Sequence, residues 1–216
     1  MPRIKICCIG SVDEASMAVE AGASALGLVS SMPSGPGVIG DELIAEIAAT
    51  VPPAIGTFLL TSRQSVEEIV EQQSICRTNT IQICDRLICG THHELKDALP
   101  GISIVQVIHV TGPESVDEAA ALGDVDAILL DSGNQKLAVR ELGGTGRTHD
   151  WALSLAIRER VTVPLFLAGG LRPENVKQAI REVGPFGIDV CSGVRTDGKL
   201  DPDKLTRFCS AVWSAC

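Results

Sequence analysis

The chain of 216 residues reads as an α/β protein: a closed, parallel eight-stranded (β/α)8 barrel of the TIM type, in a single domain over residues 1–216. Three observations carry that expectation. Short apolar runs alternate with helix-like segments eight times along the sequence, the order that builds parallel sheets. The apolar mass is aliphatic, 45% hydrophobic but 3% aromatic and without Tyr, as suits strands covered on both faces. Two glycine-bearing strand ends follow one another near the C-terminus, at Gly169-Gly170 and Ser192-Gly193, where such barrels commonly seat a phosphate.

The predicted strands are Arg3 to Ile9, Ala25 to Val29, Ala54 to Leu60, Thr80 to Cys84, Ile102 to His109, Ala127 to Asp131, Val163 to Ala168 and Gly187 to Cys191. A helix follows each. After the first strand, Ser11 and Glu14 form a capping-box signature, and Met17, Ala18 and Ala21 continue an apolar face that stops at Gly22. Ser65 and Glu68 repeat that signature after the third strand. Pro33 to Gly37 is rich in Pro, Gly and Ser, but so short a stretch reads as a loop rather than a linker. Eight strand–helix pairs could also form an open doubly wound sheet. That fold would place a Gly-x-Gly-x-x-Gly turn after its first strand, which Cys8-Ile9-Gly10-Ser11-Val12 lacks. The closed barrel is therefore preferred.

A net charge of −9 and a sequence pI near 4.9 argue against nucleic-acid or membrane partners. A phosphorylated ligand would then be held by backbone N–H groups rather than by a basic patch. Met1-Pro2-Arg3 leads straight into a strand-like run, unlike a signal peptide, so a cytoplasmic location is expected. The eight cysteines are too sparse for a disulfide framework and are expected as free thiols. Adjacent Cys7 and Cys8 would face opposite sides of any strand they share. The spacing of Cys76, Cys84 and Cys89 is not that of a zinc site, and His92 and His93 read as the start of a solvated helix. No metal is expected.

The candidate chemistry lies at strand ends. Gly169 and Gly170 let backbone amides approach an anion, and a helix beginning near Val176 adds its free N–H groups. Cys7 ends the first strand and Asp131 the sixth, so closure places them across the barrel mouth with the phosphate turns between. A thiol there can serve as a base and a shielded carboxylic acid as a proton donor. Gly143-Gly144-Thr145-Gly146, after the sixth strand, reads as a lid. Each residue also has a structural reading: Cys7 as a small buried hydrophobe, Asp131 as a loop cap, Gly169-Gly170 as a tight turn, Arg195 as a solvated surface cation.

With Lys5-Ile6-Cys7, Leu129-Leu130-Asp131-Ser132, Gly143-Gly144-Thr145-Gly146 with Asp150-Trp151, Leu167-Ala168-Gly169-Gly170-Leu171 with Pro173-Glu174-Asn175-Val176, and Asp189-Val190-Cys191-Ser192-Gly193-Val194, the chain resembles the phosphoribosylanthranilate isomerase family. The resemblance implies a cofactor-free Amadori rearrangement of a small phosphorylated sugar, N-(5′-phosphoribosyl)anthranilate, in a monomer or homodimer. It implies Cys7 as general base, Asp131 as general acid, and phosphate binding at Gly169, Gly170, Ser192 and Gly193. Asp189 and Arg195 stand as further possible substrate contacts. The departures fall on the aminobenzoate side. Cys8 replaces a usual Gly, Ser34-Gly35-Pro36-Gly37 replaces a Ser-Pro-Arg loop whose arginine is expected to meet the carboxylate, and Cys84 replaces a usual His. Arg195 stands where the family has an acidic residue. Two alternatives therefore stay open: a diverged barrel enzyme acting on another phosphorylated sugar or amino-sugar, and a non-catalytic sugar-phosphate binder.

Overall fold

The structure is a computed structural model that describes residues 1–133, 142 and 148–215. The expected lid, Gly143 to Gly146, lies outside the described residues. In chain order the elements are β1 (Arg3–Ile6), α1 (Val12–Glu20), β2 (Ala25–Val29), α2 (Asp41–Thr50), β3 (Gly56–Thr61), α3 (Val66–Cys76), β4 (Thr80–Ile83) and α4 (His92–Ala98). They continue as β5 (Ser103–His109), α5 (Glu114–Ala120), β6 (Ala127–Asp131), α6 (Trp151–Arg160), β7 (Leu165–Leu167), α7 (Val176–Val183) and β8 (Gly187–Val190). A 3₁₀ turn (Ser192–Val194), a hairpin of β9 (Arg195–Thr196) with β10 (Lys199–Leu200), and α8 (Pro202–Trp213) complete the chain.

Strands β1 to β8 form one closed parallel barrel in sequential order. Closure is made by β1 against β8, with Lys5 beside Asp189 and Ile6 beside Val190. Alternation along each strand divides the apolar residues into two cores. In β6, Ala127 and Leu129 join Phe58, Val105 and Phe166 inside the barrel, while Ile128 and Leu130 pack outward with the helical residues. In β1, Ile4 and Ile6 belong to the outer core, which leaves Lys5 and Cys7 to the interior.

The expected and observed strands differ most at β1. It was read to Ile9 and ends at Ile6, because Cys8 takes a left-handed backbone, φ 64°, that cannot continue a ladder. Cys7 and Cys8 thus share no strand, so the alternation expected of a shared strand does not apply to them, and both line one cavity. The helix start at Ser11 is confirmed, its side chain accepting from the Glu14 N–H at 3.2 Å. The carboxylate of Glu14 turns instead to the Gly10 N–H and to Arg195. Ser65 caps α3 as expected, accepting from the Glu68 N–H. None of the described helices is long and apolar enough to cross a membrane.

Candidate active site

One cavity opens at the C-terminal end of the barrel, and it gathers Cys7, Asp131, Asp189, Gly169, Gly170 and Ser192 among its lining residues. These positions come from the end of β6, from β8 itself, and from the turns after β1, β7 and β8. The alternating pleat turns each of the strand-end side chains inward, so groups far apart in sequence converge on one rim.

Asp131 is the last residue of β6 and is 9% exposed. Its Oδ1 accepts from the Ser132 N–H at 2.7 Å, and its register partner on β5 is His109. Burial pushes its carboxyl above the ordinary carboxylate range, although the Ser132 amide and His109 pull the other way. Burial thus favours the protonated form of this carboxyl, the form that a proton donor requires.

Cys7 lies just past β1, its N–H bonded to the Val190 carbonyl at 2.8 Å. Space for it is made by Gly27 on β2: a Cβ at that position would come within 2.9 Å of the Cys7 Sγ and 3.1 Å of the Lys5 Nζ. Lys5 is fully buried, 2.9 Å from the Asp189 carboxylate and 5.2 Å from the centre of the Phe58 ring. Burial alone would strip its proton, but Asp189 with Cys7 holds the ammonium above its usual range. A fixed positive charge therefore lies beneath the thiol, and Asp189 is bound to it.

The two glycine turns are fitted against each other. Gly169 and Gly170 have φ of 84° and 59°, conformations that strain a residue with a Cβ. Asn175 pins the loop, accepting from the Arg172 N–H at 2.9 Å and donating to the Gly170 carbonyl at 3.0 Å. Gly193 is a steric requirement: a Cβ there would stand 2.0 Å from the Leu171 carbonyl oxygen. The start of the 3₁₀ turn at Ser192 and the turn after β7 so present their backbone to the same side of the cavity.

Arg195 is placed elsewhere. Its guanidinium makes two 3.0 Å contacts with the Glu14 carboxylate, donates to the Gly198 carbonyl and braces the carbonyls of Cys7 and Cys8. It stands behind the turn after β1, and it is not among the residues that line the cavity at the barrel mouth. No Lys or Arg is among the described residues lining that cavity.

Two further residues line the cavity that the sequence does not mark as site candidates. Gln82 is inward on β4, with an Oε1 that is buried and without a partner among the described residues. Cys84, at the position of the missing His, also lines the cavity, its carbonyl accepting from His109 at 2.9 Å. Period-two alternation with Cys7 was the available signal for Lys5. Among the described residues no cluster of three or more His, Cys, Asp or Glu is arranged to hold a metal ion.

The family model described as N-(5′-phosphoribosyl)anthranilate (PRA) isomerase matches residues 4–211. An N-(5′-phosphoribosyl)anthranilate isomerase of Methanothrix thermoacetophila is 35% identical, covering 99% of this chain and 99% of that protein. The one from Methanosarcina acetivorans is 32% identical over 97% of this chain and 92% of that protein. Among solved structures, phosphoribosyl anthranilate isomerase from Thermotoga maritima superposes with a TM-score of 0.83 at 31% identity, covering 99% of this chain and 100% of that one. A phosphoribosyl anthranilate isomerase in complex with reduced 1-(o-carboxyphenylamino)-1-deoxyribulose 5-phosphate gives 0.81 at 29% identity, with the same coverage.

Proposed function

Because the chain belongs to the N-(5′-phosphoribosyl)anthranilate isomerase family, we propose that its barrel mouth performs the Amadori rearrangement of N-(5′-phosphoribosyl)anthranilate in tryptophan biosynthesis, with Cys7 as general base and Asp131 as general acid. The observation that carries this reading is the convergence on one cavity of a thiol, a buried carboxyl whose pKa burial raises, and two apposed glycine turns. The substrate phosphate sits on the backbone amides around Gly169, Gly170, Ser192 and Gly193. This binding suits a chain of net charge −9, since main-chain donors supply the attraction that its surface does not.

Asp131 gives its proton to the furanose ring oxygen, the bond from that oxygen to the anomeric carbon breaks, and the nitrogen lone pair forms the iminium. Cys7, as thiolate, removes the proton from C2′, and the electron pair of that C–H bond neutralises the iminium to give the enolamine. Tautomerisation to the ketone completes the isomerisation.

Steady-state kinetics on phosphoribosylanthranilate test the assignment. Cys7→Ala and Asp131→Asn should each lower kcat by about 10²–10⁴-fold while leaving the circular-dichroism spectrum intact. Neither should rescue a tryptophan auxotroph that lacks the isomerase, whereas the wild-type chain should. Full turnover in either variant refutes the assigned role.

The absence of Lys and Arg from the described cavity lining supports a second reading, in which the same pair acts on a phosphorylated sugar or amino-sugar without the aromatic carboxylate. Turnover of such a compound, dependent on Cys7 and Asp131, together with none of phosphoribosylanthranilate, would favour it.

A further inference from the structure

We propose that Cys8 and Cys191 form a reversible disulfide across the rim of the cavity, a thiol-modification site that controls access to the phosphate seat. Their sulfurs lie 2.6 Å apart, inside non-bonded contact and approaching the roughly 2.05 Å of an S–S bond. Barrel closure sets this approach. Ile6 and Val190 are register partners on β1 and β8, and each strand leads within two residues to one of the two cysteines.

Local backbone then selects Cys8 rather than Cys7. The left-handed φ of 64° at Cys8 turns its side chain onto the cavity rim, a conformation uncommon for a residue with a Cβ. Gly37, from the loop after β2, packs directly on it: a Cβ at Gly37 would lie 2.5 Å from the Cys8 Cβ. Both cysteines line the cavity at the barrel mouth. Cys191 is the partly exposed member and Cys8 the buried one, so an oxidant reaches Cys191 first. Its thiol is held below the ordinary range by the Cys8 contact, and the Arg195 guanidinium adds to this against the effect of burial. The Cys8 thiol is pushed up by the same contact. The pair therefore divides into an attacking sulfur and a resolving one.

A low-molecular-weight disulfide, RS–SR, completes the chemistry. The Cys191 thiolate attacks one of its sulfurs, the S–S bond breaks, and RS⁻ leaves with the proton of Cys8. The Cys8 thiolate then attacks the Cys191 sulfur of the mixed disulfide, and a second RS⁻ departs to take a proton from solvent. The protein loses two hydrogens and the oxidant gains them. Bridging fixes the residue before Ser192 to the residue after Cys7, which locks one wall of the phosphate seat against the turn that carries the thiol. The consequence for turnover rests on the isomerase reading given above; formation of the bridge does not.

Reduced full-length protein is incubated with oxidised glutathione without denaturant, free thiols are alkylated, and the non-reduced digest is mapped by mass spectrometry. A peptide pair joined through Cys8 and Cys191 should dominate and disappear on treatment with dithiothreitol. Cys191→Ser should yield no such pair, and so should Cys8→Gly, which suits the left-handed backbone and protects against misfolding. A persistent glutathione adduct on Cys191, a bridge through Cys7, or unmodified cysteines would overturn the proposal. In the same samples the rate with phosphoribosylanthranilate should fall at least about tenfold on bridging and return on reduction; a bridged protein at full rate refutes the control of access. If reduced protein shows no turnover, the isomerase assignment fails, and the peptide map alone decides whether the bridge exists.

Discussion

Complete burial of an ammonium such as Lys5 is costly, and Asp189 at 2.9 Å offsets it. The imidazole of His149 is treated in the opposite way: it is kept neutral. Its Nε2 meets the Ser154 Oγ at 2.7 Å, while Nδ1 is buried without a partner among the described residues. A Cβ on Gly169 would lie 3.1 Å from that Nδ1, so the ring backs directly onto the first glycine turn. Burial lowers its pKa to about 4, against a smaller opposing pull from Asp150. The folded value thus lies below the unfolded one of about 6.5, and as pH falls the unfolded chain takes up the proton first. The contribution of His149 to stability is full above the unfolded value and is lost as pH falls toward the folded one, to an extent of about 3 kcal/mol. His149→Gln has no such linkage. Urea unfolding at about pH 7 and about pH 4 should show a stability loss in the wild type that is larger than in His149→Gln by about that amount. Equal losses would show that the ring is free to charge in the fold.

The paired turns after β7 and β8 act as one unit because Gly193 lets them touch. A methyl group there would meet the Leu171 carbonyl oxygen at 2.0 Å, and backbone cannot yield as a flexible side chain does. Gly193→Ala should therefore destabilise the fold by about 1–3 kcal/mol and raise KM more than it lowers kcat, since the proposed phosphate seat opens while Cys7 and Asp131 stay in place. Unfolding midpoints and steady-state kinetics measure the two effects separately, and an unchanged KM would place the phosphate elsewhere. Elements of this kind were legible in the sequence wherever the signal was local. β2 and β6 occupy their expected bounds, Ala25–Val29 and Ala127–Asp131, because an apolar run between turn residues defines each of them. β1 was read three residues too long, since nothing in the letters of Cys8 announces a left-handed backbone. Strand-end position was enough to bring Cys7, Asp131, Gly169, Gly170 and Ser192 to one cavity. It was not enough for Arg195, whose partner Glu14 is 181 residues away, nor for the apposition of Cys8 and Cys191 across 183. Those contacts are products of closure, and local periodicity carries no information about them.

Closure also determines how the protein should respond to its ligand. The barrel is completed by the β1–β8 seam, and the cavity takes residues from both sides of it, Cys7 and Cys8 with Asp189, Cys191 and Ser192. A ligand bound there joins the first and last strands of the chain, so its binding energy adds to the cooperative unfolding of the barrel rather than to one loop. A substrate analogue bound there at a free concentration about 100 times its dissociation constant should stabilise the native state by about 2.7 kcal/mol. For a chain of this size that corresponds to a rise in Tm of about 5–10 °C. Asp131→Asn, which replaces the proposed proton donor and leaves the proposed phosphate turns intact, should keep most of that rise at the same free ligand concentration. Differential scanning calorimetry with and without the ligand supplies the measurement. A ligand that binds yet leaves the unfolding of the β1–β8 seam unshifted, as read by amide exchange at Ile4 and Ile188, would mean that it is seated away from the barrel mouth.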